Sequence, residues 1–199
     1  PLFAAVLAVC ITDNEHERPG ARLLFLLPLL VLWANVHGSV LLGATLATAY
    51  LLFRALRGVR AGHRGGAAGC AALAVATALA PLATPYGTQI IHYYQEFVGN
   101  APMARMATEW APPRFPSFVF FELCVPGALT LAAVIFAAIK RRRAPIVLLA
   151  AAAMTGAAAT VESGSIVWFG MVSALLLADS VKTWSPPRPR GPRLSLIHI

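Results

Sequence analysis

An uncharged run from Leu23 to Phe53 constrains this chain more than any other feature of its sequence. Built as one α-helix at about 1.5 Å per residue, the run would be about 46 Å long, against a bilayer core of about 30 Å. Its centre carries the polar and aromatic stretch WANVHGS, residues 33–39. Polar groups at mid-membrane are costly unless they face protein or water. We therefore predict that the chain folds back at Val36–Gly38 into a helical hairpin.

The distribution of positive charge favours the same hairpin. Of the 199 residues, 58% are hydrophobic and only 12% are charged, whereas soluble domains carry about 25% charged residues. The composition is therefore typical of a polytopic membrane protein. The net charge of +8 comes mainly from four basic patches, near residues 18–22, 54–64, 140–143 and 182–193. Positive loops stay in the cytoplasm. A hairpin at 22–53 puts all four patches there, whereas one long tilted helix would break this rule.

The predicted fold is all-α, a polytopic helical membrane protein with about seven apolar segments. These are residues 1–12, 22–34, 38–53, 67–83, 117–139, 144–161 and 166–179. The second and third form the hairpin at 22–53, and simple alternation then places residues 84–116 outside. Apolar residues at helical spacing predict an amphipathic helix at 85–98, capped by Thr84 and lying flat at the outer interface.

The organisation along the chain predicts one membrane domain and a tail. Residues 1–183 form the transmembrane helical domain. Residues 184–199 are a basic, proline-rich segment expected to be disordered, and Leu194–Ile199 resemble a translated adaptor rather than native sequence. The chain begins at Pro1 inside an apolar run, so we expect it to be a fragment whose N-terminal part is missing.

Three stretches resemble a known family. They are "LWANVHGSVLLG" at 32–43, "TPYG" at 84–87 and "TEWAPP" at 108–113. In this order and at about this spacing, they are similar to the motifs "LWANLHGG", "LNPYG" and "EWQPP" of bacterial polytopic proteins related to the C-type glycosyltransferase superfamily. The resemblance covers roughly residues 20–180. Thr84 stands where the family usually has Asn, and "ESGSIVWF" at 162–169 lacks the basic residue common there.

The resemblance implies an enzyme of the bacterial cytoplasmic membrane. Its relatives take a sugar from a polyprenyl-phosphate carrier at the outer face. A carboxylate in the first outer loop typically acts as the base that activates the acceptor. That loop would lie upstream of this chain, so the catalytic residue is unknown, and we expect this fragment alone to be inactive. The partners implied are the lipid bilayer and a lipid-linked sugar donor.

Six residues are candidates for substrate binding. Arg105 and Arg114 are the only cations in the outer segment, and a lipid-linked phosphate needs cationic partners. Asn35 and His37, with Ser39 beside them, are expected to face an outward-opening cavity at the hairpin tip. Glu109 and Trp110 offer a carboxylate and a stacking ring for a sugar. Five of the six have alternatives: a tip that satisfies its own backbone, arginines on lipid headgroups, and a Glu109–Arg105 ion pair.

Other classes of function remain open or are disfavoured. A transporter or flippase for a lipid-linked or small polar substrate would also need polar groups at a broken helix, and a purely structural membrane partner is a third possibility. Glu162 ends an apolar segment and is interpreted as solvated. The three cysteines and five histidines show no ligand spacing, so no metal or cofactor is predicted in this fragment, and a divalent metal in a full-length protein stays open. The basic residues 54–64 lack interleaved aromatics, which disfavours nucleic acid.

Overall fold

The computed structural model describes residues 1–97, 111–139 and 145–182, and within these ranges its regular structure is all helical, with no strand. The α-helices are α1 (Leu2–Asn14), α2 (Leu26–Ala34), α3 (Val40–Arg60), α4 (Arg64–Leu79), α5 (Gln89–Phe97), α6 (Phe118–Ile139), α7 (Ile146–Val161) and α8 (Ile166–Lys182). Short 3-10 segments, Ala21–Phe25, Ala80–Leu82 and Ser163–Ser165, extend α2, α4 and α8. The predicted all-α class is confirmed.

Four helical segments of the described chain are long and apolar enough to cross a membrane. They are Val40–Arg60, Arg64–Leu82, Phe118–Ile139 and Ser163–Val181. The remaining apolar helices, Leu2–Asn14, Ala21–Ala34 and Ile146–Val161, are shorter. The count of about seven membrane segments is therefore not confirmed, although every predicted apolar segment is helical.

The chain reverses direction within the uncharged run. α2 ends at Ala34 and α3 begins at Val40. Next to this break the ring of Trp33 packs against Gly43. At the other end of the two helices, Asp13 contacts both Gly20, before α2, and Arg54, late in α3. The end of α2 therefore lies beside the start of α3, and the start of α2 lies near the end of α3. The two helices form an antiparallel pair.

The other helices begin and end near the same two ends as this pair. We call the end at residues 35–39 the hairpin-tip end, and the end near Gly20 and Arg54 the basic end. Phe3 of α1 and Trp168 of α8 both pack against Trp33, with ring centroids 6.3 Å from it in each case, so α1 and α8 begin at the hairpin-tip end. Near the basic end, the Ser180 hydroxyl of α8 donates to the Ala133 carbonyl of α6. α1, α3 and α8 therefore run from the hairpin-tip end towards the basic end, and α2 runs in the opposite direction.

Two details of the prediction are wrong. The amphipathic helix begins at Gln89 rather than at residue 85, because Gly87 adopts a left-handed φ of 51° and its N–H donates to the Thr84 carbonyl in a turn. The Thr84 hydroxyl does not cap the helix. The charge pattern treats Arg54 as loop charge, but Arg54 lies inside α3 and is 3% exposed. A buried arginine is tolerated only with a partner, which here is Asp13.

Candidate functional site at the hairpin tip

Hydrogen bonds hold the side chains of Asn35 and His37 in place at the hairpin tip. The Asn35 amide nitrogen donates to the carbonyls of Val31 and Ala83, both at 2.8 Å. It therefore ties the end of α2 to the segment that follows α4. The His37 Nδ1 accepts the Ser39 backbone N–H at 3.1 Å and lies 2.9 Å from the Ser39 hydroxyl. Because Nδ1 accepts a backbone proton, a neutral His37 carries its own proton on Nε2.

Two cavities open beside the tip and share His37, Gly38 and Tyr94 in their walls. The larger, of about 900 Å³, lies between the tip and α5. The smaller, of about 460 Å³, lies between the tip and the turn joining α7 to α8. Both volumes fall in the range of small-molecule sites, about 300–1,000 Å³.

Tyr94 of α5 forms part of the partition between the cavities. Its hydroxyl donates to the Gly38 carbonyl at 2.7 Å. Burial, with a smaller contribution from neighbouring Tyr93, raises the pKa of Tyr94 above its ordinary value, so this hydroxyl keeps its proton and remains a donor at neutral pH. The tip backbone is therefore anchored to α5 by a bond that also borders both cavities.

The larger cavity has a mixed polar and aromatic lining. Asn35 and His37 of the tip face Gln89, His92 and Glu96 of α5, with Tyr86 and Tyr93 completing the wall. The His92 Nε2 lies 3.1 Å from Glu96 Oε1, one helical turn away, and both side chains are mostly exposed. The buried Thr84 hydroxyl also lines this cavity and has no hydrogen-bond partner in the described part of the chain. Amide, imidazole, carboxylate and aromatic groups in one concave wall suit a polyhydroxylated ligand.

The smaller cavity brings Glu162 towards the hairpin tip. Glu162 is half-buried between α7 and α8 and lines the cavity with Ser39, Thr45 and Trp168. Residue 111 meets this turn, since its carbonyl accepts the Ser163 N–H at 3.1 Å. Glu162 is therefore a wall of the tip region rather than the fully solvated end of a helix.

The structure brings together part of the predicted site. Asn35 and His37 line the larger cavity, and His37 and Ser39 line the smaller one. Arg114 is exposed and lines neither cavity. Arg105, Glu109 and Trp110 lie outside the described residues.

Sequence reasoning missed Tyr94, Glu96 and Glu162 as members of one region. The helical pattern places Tyr94 on the apolar face of an interfacial helix, and Glu96 on its solvent face. These residues lie more than fifty positions after the tip along the chain, and nothing in the sequence indicates that they are close to it in space. The described residues hold no group of three His, Cys, Asp or Glu side chains placed to bind a metal ion.

Comparison with known proteins adds no relative: no family model, no curated protein and no solved structure matches the chain. Its class follows from its own architecture. The part of the chain that the structure describes is all-helical, with several helices long and apolar enough to cross a membrane. It carries a polar, two-chambered recess at the tip of a broken helix pair.

Proposed function

We propose that this chain is the membrane part of a glycosyltransferase-like protein that transfers a sugar from a lipid-phosphate carrier at the outer face of the bacterial cytoplasmic membrane. In this proposal the basic end faces the cytoplasm and the hairpin-tip end faces outside. The three shorter apolar helices also lie in the membrane, which brings the embedded segments to about seven. The sequence resemblance suggests the chemistry.

The observation that carries the proposal is the larger cavity at the hairpin tip. It combines a volume of about 900 Å³ with hydrogen-bonding groups and tyrosines on facing walls. A sugar offers many hydroxyls and one apolar ring face, so it needs both kinds of wall. The cavity also lies at one end of apolar helices, where the head of a lipid-linked substrate would enter while its tail stays in the bilayer.

The tip residues have distinct roles in this proposal. His37 presents Nε2–H as a donor to a sugar or phosphate oxygen, because Ser39 already occupies Nδ1. Asn35 uses its amide N–H groups on Val31 and Ala83, so its carbonyl oxygen remains as an acceptor for a sugar hydroxyl. Arg105 and Arg114 approach the phosphate, and Glu109 and Trp110 approach the sugar. The base that activates the acceptor is unassigned.

A transporter or flippase is the second candidate, and the break between α2 and α3 favours it. Broken helices whose ends border a polar cavity are common at transporter binding sites. The two candidates differ in the fate of the carrier. A transferase leaves the lipid phosphate behind and moves only the sugar to an acceptor, whereas a flippase moves the intact lipid-linked sugar to the other leaflet.

Binding of a radiolabelled polyprenyl-phosphate hexose to the chain in nanodiscs tests the site. We expect His37→Ala to weaken binding about tenfold, the effect of losing one hydrogen bond to a charged or strongly polar partner. Thr88→Ala is the matched control, because Thr88 is exposed beside α5 and lines neither cavity. Equal affinity in the wild type and His37→Ala would remove the tip from the proposed site.

Proteoliposomes separate the two candidates when they contain the chain together with the upstream region that the resemblance implies, the same donor, and a membrane extract as acceptor. Label that moves from the lipid to an acceptor supports the transferase. Label that crosses the bilayer still attached to its lipid supports the transporter.

A further inference from the structure

A third cavity, at the basic end, lies far from the hairpin tip and has no role in the proposed sugar site. Its volume is about 290 Å³, at the low end of small-molecule sites. Three positively charged or protonatable side chains line it, Arg54, Arg57 and His63, together with one carboxylate, Glu17. Gly66 and Ala67, in the first turn of α4, also line it.

Arg54 is the least satisfied group in this wall. Its side chain is 1% exposed, and its Nε lies 3.0 Å from Asp13 Oδ2, an ion-pair distance at which the N–H is not aligned for a hydrogen bond. Its Nη2 is buried and has no hydrogen-bond partner in the described part of the chain. Buried polar groups without partners are rare and costly. The guanidinium therefore has an unused donor, and Arg54 is one of the residues that line the cavity.

Asp13 does not supply the missing acceptor. Its Oδ1 accepts the Gly20 N–H at 2.8 Å, and its Oδ2 accepts the Tyr50 hydroxyl at 2.8 Å and faces Arg54 Nε. Both carboxylate oxygens are engaged by these groups, and neither is bonded to Nη2. Nη2 therefore has an open position for an acceptor from outside this pair.

The start of α4 adds further donors to the same cavity. His63 precedes the helix and makes no side-chain cap. The N–H groups of Gly65 and Gly66 have no acceptor in the described residues. Unpaired N–H groups and the positive end of the helix dipole favour an anion at a helix N-terminus. Gly66 lines the cavity directly.

Arg57 supplies a positive charge that no carboxylate of the described residues neutralises. Its guanidinium donates to the Asn14 side-chain oxygen at 3.4 Å and lies 5.6 Å from the centre of the Phe53 ring, and both partners are neutral. Arginine forks, an unpaired buried N–H and a helix N-terminus together make a wall for a small oxyanion with several acceptor oxygens.

We propose that the cavity lined by Arg54, Arg57 and the first turn of α4 binds a phosphate group, either free phosphate or the phosphate of a membrane lipid headgroup. Basic pockets between membrane helices recognise phospholipid headgroups. The site is independent of sugar transfer at the hairpin tip. Glu17 opposes the anion, so the phosphate sits on the arginine and α4 side of the cavity.

Equilibrium dialysis of radiolabelled inorganic phosphate against the detergent-solubilised chain tests the site. We expect Arg57→Gln to weaken phosphate binding about tenfold, as the loss of a charge-assisted contact predicts. Arg60→Gln is the control, because Arg60 lies on the same exposed helix end, carries the same charge and does not line the cavity. It should change binding less than about twofold.

Gly66→Asp provides a variant that should fold and yet not bind. An acidic residue in the first turn of a helix is stabilising, and a Cβ at Gly66 would meet its nearest atom, Pro19 Cγ, at 3.4 Å. The added carboxylate would repel an oxyanion, so we expect phosphate binding to fall by more than about tenfold while the thermal stability is kept.

Nanodiscs distinguish the two sources of phosphate. Discs of phosphatidylcholine with phosphatidic acid should suppress binding of inorganic phosphate if a lipid headgroup occupies the site. Binding equal to that in pure phosphatidylcholine discs indicates free phosphate. The proposal would be overturned if the chain in detergent bound no inorganic phosphate and also retained no phosphatidic acid through purification. Equal losses in Arg57→Gln and Arg60→Gln, or undiminished binding in Gly66→Asp, would also overturn it.

Discussion

Gly43 is the position where a single added methyl group should damage the hairpin most. A Cβ built at Gly43 would lie 2.4, 2.9 and 3.2 Å from three atoms of the Trp33 indole ring. The ring cannot easily move away, because it is 2% exposed and packs against Phe3 and Trp168. The close approach of α2 and α3 therefore requires glycine at this position.

The size of the effect follows from two opposing terms. Gly→Ala in a helix interior normally stabilises by about 0.5–1 kcal/mol. Overpacking a filled core costs about 1–3 kcal/mol, and contact with a rigid ring points to the upper part of that range. We expect Gly43→Ala to destabilise the chain by about 2 kcal/mol, or about 4–8 °C in Tm for a chain of this size.

Thermal unfolding in detergent, with Gly69→Ala as the control, measures this effect. Gly69 lies in α4, and a Cβ added there would have no atom within 4 Å, so its substitution should leave Tm unchanged or raise it. A second substitution, Trp33→Leu, should restore part of the stability lost in Gly43→Ala, because a smaller side chain vacates the clash. A Gly43→Ala chain as stable as Gly69→Ala would refute the packing of α2 on α3.

Three further substitutions test the polar contacts. Asp13→Asn should cost about 3–5 kcal/mol in thermal unfolding, because it leaves the buried Arg54 without its counter-charge; a loss below about 1 kcal/mol would contradict the buried pair. Tyr94→Phe should cost about 1 kcal/mol by removing the bond to the Gly38 carbonyl, with faster amide hydrogen exchange at the tip; unchanged exchange would separate α5 from the tip. Asn35→Ala should likewise speed exchange in the 3-10 turn after α4, and no change there would contradict that link.

The sequence alone predicts the hairpin because two independent quantities agree. The uncharged run from Leu23 to Phe53 is too long for one span, and the basic patches on its two sides need one common end of the bundle. Both are properties of composition and length, so the prediction does not depend on how the helices pack together. The polar stretch at 33–39 then marks the point of reversal.

The pairing of Asp13 with Arg54 cannot be read from the same properties. An arginine at the edge of an apolar segment resembles a loop charge, and Asp13 is more than forty residues away along the chain. The antiparallel course of α1, α2 and α3 brings the two together, so their burial depends on helix packing. The start of α5 at Gln89 could not be predicted for a local reason. The sequence TPYG is compatible with a helix start at residue 85, but Gly87 adopts a positive φ and delays the helix.

The position of the tip cavity could be predicted, but its composition could not. Asn35 and His37 stand out because polar groups inside an apolar run demand an explanation. Tyr94 and Glu162 come from distant segments whose own patterns are those of an amphipathic helix and a helix end. Their contribution depends on how α5, α7 and α8 meet the tip.

Side-specific cysteine labelling of the chain in membrane vesicles tests the central claim, that the chain turns back at residues 35–39 inside a membrane. With Cys10, Cys70 and Cys124 replaced by alanine, single cysteines are placed at the exposed positions Ala21, Val36 and Ala61. Because the two basic-end positions flank the hairpin, a membrane-impermeant maleimide should label residues 21 and 61 from one side and residue 36 from the other. Labelling of residues 21 and 61 from opposite sides would contradict the hairpin.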